Sequence, residues 1–417
     1  MTDTYDVLIV GGGHAGAQAA SLLRERGFEG SLAIVSAESG YPYERPPLSK
    51  AFLVGERTGD DIALRSPRYW RDHEVSLLDS RSVTRVDSIG RSVTLDDGCR
   101  LGYRTMIWAT GGTPRLLPGT ESTPGVHTFR TLDDAVALRD IMRSAPPTVI
   151  VGGGFIGLEA AASFRRAGAD VTVVEAQPRL LARVTSEPVS TYFSNLHRCE
   201  GVELHVATSV EKITSEDGRL RSVTLTSGHV VSASVMLVGI GLIPNSDVLE
   251  RAGARVSNGV DVDERCRTSL PDVYAIGDVA NFVSPYSAVP SRVRLESVPN
   301  TSAHARIAVA DIMNSPAPAQ PVPWFWSHQY ETKLQTAGLI HGYDGRIVRG
   351  DVDSGKFSVV YLHGNRLLGV DAVNHTGDFL GAKTLLGTGA EIRMDPERIS
   401  NERLKLAECV AAAQPVP

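Results

Sequence analysis

One arrangement of apolar and polar positions occurs twice along this chain. Residues 7–20 read VLIVGGGHAGAQAA, and residues 149–162 read VIVGGGFIGLEAAA. Each copy has an apolar strand, a glycine turn and an alanine-rich helix. That is the pyrophosphate-cradling half of a dinucleotide-binding fold, and two copies imply two nucleotide sites. Between and after them come further short apolar runs: LAIVS (32–36), MIWATGG (106–112), VTVVEA (171–176), VMLVGIGLIPN (235–245) and VYAIGDVA (273–280). A helix is predicted from about Asn300 to Met313. YPYERPPLSK (41–50) is irregular, and the Pro- and Gly-rich TPRLLPG (113–119) and NSPAPAQPVPW (314–324) read as linkers. From there to about residue 410 apolar and polar positions alternate between turns at HGYDG, DSG and HGN, which predicts a small mixed domain with an antiparallel sheet.

Length and composition narrow the class. A chain of 417 residues suggests two or three domains, and 42% apolar with 22% charged residues is the composition of a soluble globular protein. A net charge of -6 argues against binding to nucleic acid or to an anionic membrane. No apolar run reaches about 18 residues, so no transmembrane helix is expected. The start, MTDTYDVLIVGGG, has no basic region and runs straight into a strand pattern, so it is not read as a signal peptide and a cytoplasmic location is expected. Cys99, Cys199, Cys266 and Cys409 are far apart in sequence; no disulfide or thiolate metal site is expected, and they are read as buried thiols. The eleven histidines show no ligand spacing, so no metal is expected.

The glycines carry the first chemistry. In the first copy, Gly11 permits the tight turn, Gly13 lets a pyrophosphate approach the backbone, and Gly16 lets the helix pack on the strand. Gly152, Gly154 and Gly157 repeat the pattern. Glu175 ends the strand that follows the second copy. A carboxylate there accepts hydrogen bonds from an adenosine ribose and repels a 2′-phosphate, which points to NAD rather than NADP. In the first copy the nearest acid is Glu38, and a backbone contact near Ala37 is an alternative ribose partner.

With these segments in order, the chain resembles the oxygenase-coupled ferredoxin reductases, the putidaredoxin and rhodocoxin reductase type, among the glutathione-reductase-like flavoproteins. The resemblance rests on VGGGHAG, YERPPLSKAFL, IWATGG, HTFRTLDDA (127–135), VGGGFIGLEAA, VVEAQPRLLARV, VGIGLIPN, VYAIGDVA, RLESVPN (294–300) and PWFWSHQYETKLQ (323–335). It implies an α/β fold with two Rossmann-like dinucleotide-binding domains and a C-terminal α+β domain. The FAD-binding domain would be discontinuous, 1–113 and 242–322, with an NAD-binding domain at 114–241 and a C-terminal domain at 323–417 over the flavin. FAD would occupy the first glycine site, in contact with Arg45, Arg130 and Asp278 and with the backbone at Ala15, Val83 and Val298. Lys50 would sit beside the flavin N5, where a cation favours the reduced ring. The helix after Pro299 would aim its positive end at the flavin. Glu159 would face flavin and nicotinamide and pair with Lys50; Gly239, in VGIGLIPN, would border the NAD. Trp326 would lie over the flavin, shielding it or lining the electron exit.

The implied activity is hydride transfer from NADH to FAD, followed by single-electron delivery to a 2Fe-2S ferredoxin that serves a monooxygenase or dioxygenase. Hydride transfer needs positioning more than acid or base. Residues 41–50 hold no cysteine pair of the kind that disulfide reductases use as a relay, so the acceptor would take electrons from the flavin directly. A rubredoxin or a small oxidant is an alternative acceptor, and a non-catalytic NADH-responsive flavoprotein scaffold is an alternative from another class. His328 departs from the carboxylate or amide that usually follows PWFWS, and it is expected to lend a modest pH sensitivity. Arg294, Arg306 and Lys333 are expected to steer an acidic ferredoxin. A monomer or weak dimer is expected.

Overall fold

The computed structural model describes residues 3–411, so Met1, Thr2 and the last six positions of the C-terminal domain expected at 323–417 lie outside the described residues. The first apolar run forms the centre of a parallel sheet. Strand Asp3–Val10 lies between Leu32–Val35 and Arg100–Trp108; Val75–Leu78 extends one side and Val273–Ala275 the other. Val7, Leu8, Ile9 and Val10 are all buried, as a parallel sheet covered on both faces requires. An antiparallel pair, Val83–Asp87 and Ser92–Leu95, joins the edge of Arg100–Trp108. Helix His14–Glu25 covers one face and packs against helix Val298–Ile312, the predicted helix at 300–313.

The second apolar run builds a second parallel sheet in the order Glu203–Val206, Val171–Glu175, Thr148–Val151, Val235–Val238, Val126–His127. Helix Phe155–Arg166 follows its glycine turn. A three-stranded antiparallel sheet, Val210–Glu216, Arg219–Leu225 and Val230–Ser232, completes this region. The stretch read as a linker at 113–119 is more ordered than its Pro and Gly suggest. Gly112–Pro114 pairs antiparallel with Leu242–Pro244, so the chain leaves and re-enters the first region side by side and the two crossings satisfy each other's backbone groups.

The last region is a five-stranded antiparallel sheet in which Trp324–Gln329 is an edge strand, followed by Thr332–Gly338, Arg366–Val373, Lys356–His363 and Gly345–Asp351. Helix Thr376–Leu386 packs on it, and Lys383 lies 4.6 Å from the Trp324 ring centroid. The fold is the expected one: α/β, with two Rossmann-like units and a C-terminal α+β domain.

Helix Val298–Ile312 is held at its far end by one carboxylate. Asp311 accepts from Arg267 at 2.6 and 2.8 Å, from Tyr274 at 2.6 Å and from Arg265 at 3.1 Å. Burial alone would raise its pKa, but the hydrogen bonds from Arg267, Tyr274 and Arg265 outweigh that and hold it below the carboxylate range. Asp311→Asn should cost about 2 kcal/mol of stability at neutral pH, measured by denaturant unfolding. A depressed native pKa stabilises only while the group is ionised, so the gap from wild type should close as the pH falls below 3.8.

Candidate active site

The first glycine turn opens into a cavity of about 580 Å³. Gly11, Gly13, Ala15, Ala37, Arg45, Lys50, Val83, Arg130, Asp278, Val298, Glu159 and Trp326 all line it, drawn from segments spread over more than three hundred residues. Gly16 lies beneath the lining, where its lack of a side chain matters most: a Cβ there would stand 2.0 Å from the Gly11 carbonyl oxygen. Gly11 has φ +118°, and a Cβ on it would meet the Ala109 carbonyl oxygen at 2.3 Å. The turn is therefore built for glycine, and it brings the backbone against whatever fills the cavity.

Two helices present their positive ends here. His14–Glu25 starts at Gly13 with no side-chain cap and no acid in its first turn, so its free N–H groups stay available to an anion. Val298–Ile312 is capped by Ser297, which accepts from Asn300 N at 3.3 Å, and Ser297, Val298 and Thr301 line the cavity. Asp278 lies in a short helical turn, 3.2 Å from Arg130 Nη2. Arg45 donates to the Arg130 carbonyl at 2.7 Å and pairs with Glu38, so acid and base alternate along one wall. Glu38 is thereby engaged with Arg45 and Tyr43.

The opposite wall holds the pair that the family resemblance implies. Lys50 interrupts the wide helical turn Leu48–Phe52, and its Nζ lies 2.5 Å from Glu159 Oε2. Glu159, on helix Phe155–Arg166, is only 3% exposed, and it accepts further hydrogen bonds from Ser49 at 2.6 Å and Ser327 at 2.7 Å. Ser49, Ile156, Phe325 and Asn245 also line the cavity and were not anticipated. Phe325 carried a signal, since it lies inside PWFWS beside Trp326; it packs at a tilt against Phe155, 4.5 Å between ring centroids. Ser327, two residues further on, closes the same PWFWS segment, but nothing there marked it as a partner of Glu159.

The second glycine turn lies outside the lining of this cavity, apart from Ile156 and Glu159 on its helix. A Cβ on Gly152 would meet the Gly239 carbonyl oxygen at 2.4 Å, and one on Gly157 would meet the Gly152 carbonyl oxygen at 2.1 Å, so Gly239 acts here as a packing neighbour. Gly154 has open space beside it and starts an uncapped helix, as Gly13 does. Glu175 accepts from Gly153 N at 2.6 Å and Gln177 N at 2.7 Å, which fixes its carboxylate beside the turn.

A scan against family models matches residues 5–305 to the pyridine nucleotide-disulphide oxidoreductases and residues 324–410 to the reductase C-terminal domain. The chain belongs to the pyridine nucleotide-disulphide oxidoreductase family. It is 45% identical to the 5,5'-dehydrodivanillate O-demethylase ferredoxin reductase subunit of a Sphingobium species, over 98% of this chain and 99% of that one. It is 43% identical to rhodocoxin reductase of Rhodococcus erythropolis, over 97% of this chain and 94% of that one. Among solved structures, the covalent putidaredoxin reductase–putidaredoxin complex superposes with a TM-score of 0.93 at 37% identity, covering 98% of both chains.

The family's name refers to a disulphide, and none is present among the described residues: the four cysteines are free and none lines the cavity. Their expected burial holds for Cys266 and Cys409 only; Cys99 and Cys199 are exposed, one beside a turn and one at a helix end, where no core reaches them. The cavity fits the FAD of the family resemblance on three counts. It has the bare glycine turn, it has uncapped helix N–H donors, and His14 Nδ1 is buried in its lining without a protein partner.

Folding also brings together residues that the sequence keeps apart. Among the described residues, Glu203, His205 and His229 hold ligand-type atoms within 4.8 Å of one another; His205 and His229 both face Glu203 Oε1, at 2.9 and 3.7 Å. Arg294, expected to face a partner, is instead drawn inward: its side chain is 9% exposed and donates to the Asp278 carbonyl at 3.1 Å and to Glu296 at 2.6 Å. Arg306 is exposed and Lys333 half-buried.

His328 pairs across the strand with Lys333. Burial, then the Lys50 and Lys333 ammonium groups, lower its pKa, and Glu159 pulls the other way. Its charge change therefore lies on the acid side of 6.5. The pH–rate profile of flavin reduction should carry a His328-dependent limb only there, and His328→Asn should remove it. A limb above that pH that disappears in the variant would contradict this placement.

Proposed function

We propose that this chain is an FAD-dependent NADH:ferredoxin reductase that supplies a 2Fe-2S ferredoxin, and through it an oxygenase. The carrying observation is the Lys50–Glu159 pair at the wall of a cysteine-free dinucleotide cavity, reached from one side by the second glycine helix and from the other by Phe325 and Trp326. Relatives named as ferredoxin reductases at 35–45% identity over nearly the whole chain, two of them named as components of dioxygenase systems, support the same reading.

Gly11, Gly13 and Gly16 bring the backbone and the His14 helix to the FAD pyrophosphate. Ala15, Ala37, Val83 and Val298 supply backbone walls, and Arg45, Arg130 and Asp278 hold polar groups of the cofactor. Bound FAD supplies a two-electron acceptor that gives its electrons up one at a time. Lys50 places a fixed positive charge at that site, and Glu159 keeps it oriented. Gly152, Gly154 and Gly157 seat NADH, with Gly239 behind the turn, and Glu175 meets its adenosine ribose. Trp326 shields the site at the edge strand. The balance is one NADH and two oxidised ferredoxins giving NAD⁺, two reduced ferredoxins and one proton. The domain limits that go with this reading are 1–113 and 242–322 for FAD, 114–241 for NAD and 323–417 for the C-terminal part. No described helix is long and apolar enough to cross a membrane, which accords with a cytoplasmic enzyme, working as a monomer or weak dimer.

Purified protein should be yellow and should oxidise NADH with ferricyanide much faster than NADPH, and it should reduce a 2Fe-2S ferredoxin. Glu175→Gln removes the charge that repels a 2′-phosphate and should narrow the NADH preference by about tenfold, read as the ratio of kcat/KM values. Equal use of both nucleotides by the wild type would overturn the ribose role of Glu175. A colourless protein inert after FAD addition would overturn the function.

A further inference from the structure

A line of buried polar groups runs from Glu159 away from the cavity. Glu159 is an acceptor at both oxygens, so the single proton of Ser327 Oγ must point at Glu159 Oε1, 2.7 Å away. Ser327 is then left as an acceptor, and it receives Nε2 of Gln329 at 3.2 Å. That choice turns the Gln329 Oε1 atom toward His197 Nε2, at 2.8 Å, which must therefore carry the imidazole proton. His197 Nδ1 is left to accept from Tyr330 OH, 3.5 Å away. Every proton is assigned once the carboxylate is fixed, and every donor points the same way.

Burial reinforces the assignment. Ser327, Gln329 and His197 are at most 1% exposed. Burial also holds the His197 imidazole down to about 4, so the ring is neutral and keeps one donor and one acceptor at ordinary pH. Tyr330 sits at the turn after strand Trp324–Gln329 with φ 52°, a left-handed conformation uncommon for an aromatic residue. Three separate elements meet in this line: helix Phe155–Arg166, helix Glu187–Cys199 and the edge strand. An amide lies in the middle, and an amide does not pass protons along as hydroxyls do. The line therefore orients and does not conduct.

We infer that Ser327, Gln329 and His197 are positioning residues that fix the Glu159 carboxylate, and through it the Lys50 ammonium, in the geometry used for hydride transfer. This rests on the function proposed above. Without the Ser327 hydroxyl, one Glu159 oxygen loses its donor, the carboxylate is free to turn, and Lys50 is held by a looser partner. Gln329 and His197 act at one and two removes.

The test uses holoenzyme with bound FAD. Stopped-flow reduction by NADH gives the rate constant at saturation and the NADH dissociation constant, and reductive methylation followed by peptide mass spectrometry gives the reactivity of Lys50. Ser327→Ala should lower the rate constant about tenfold, leave the dissociation constant within about twofold, and raise Lys50 methylation several-fold. Ser327→Cys, similar in size with a weak donor, should fall between. Gln329→Leu should show the same pattern at smaller amplitude. Wild-type flavin that NADH fails to reduce would overturn the functional reading itself. Wild-type reduction with Ser327→Ala unchanged in rate and labelling would overturn the positioning role alone. So would a slower variant with unchanged Lys50 labelling and a lower melting temperature, which is the mark of lost packing.

Discussion

A carboxylate out of water, and the groups that must meet it, set the terms for this molecule. Glu159 is almost fully buried, and an unpaired ion in such a place costs several kcal/mol. It is satisfied by Lys50 and Ser49 from the irregular segment between strands Leu32–Val35 and Val75–Leu78 and by Ser327 from the C-terminal edge strand. Ser49 and Lys50 lie more than a hundred residues before Glu159 and Ser327 lies 168 after it, so the carboxylate is satisfied only when its own helix and both of these segments are in place. The ion pair is thus as much a condition on assembly as a feature of the site. It also explains why the C-terminal sheet presents an edge strand at this point: its first strand has to reach the cavity wall with Phe325, Trp326 and Ser327 together.

The second constraint is backbone proximity. At both turns a Cβ on the first or third glycine would stand within 2.4 Å of a carbonyl oxygen, so the strand, the turn and the helix close on each other without side chains. The helix ends are left uncapped, so their N–H groups are open to an anion. Sequence carries such a site well, because local chain geometry creates it and only glycine meets that geometry. Both nucleotide units, the strand-end position of Glu175 and the helix near Asn300 were accordingly legible in the chain.

What was not legible is what folding brings together from afar. Ser327 lies inside PWFWS, but neither that segment nor anything around His197 marks the two as members of one line of contacts: they lie 168 and 38 residues from Glu159 along the chain. Lys50 and Glu159 were paired by family resemblance and not by any pattern of spacing. The linker at 113–119 was read from its proline and glycine, whereas its first residues are held by a strand some 130 residues later. Arg294 looked like a free surface charge until the fold supplied Glu296 and the Asp278 carbonyl. The sequence is a good guide to backbone sites and a poor one to side-chain partnerships across domains.

The two glycine turns are close copies, yet they are set in different surroundings, and this difference suits their two tasks. The first opens into a cavity walled by Arg45, Arg130 and Asp278, which brace one another from segments far apart, and by Lys50, which Glu159 holds. A dinucleotide there meets contacts from several directions at once, and leaving requires breaking all of them, which suits a cofactor that stays. The second turn offers its helix end and Glu175, and only Ile156 and Glu159 from that helix reach into the walled cavity. Ile156 is 46% exposed, so this approach is open. A nucleotide held by one turn and one carboxylate can arrive and leave each cycle. On the function proposed above, the same motif serves for retention in one place and for exchange in the other, and what separates the two is the set of side chains that the rest of the fold supplies around each.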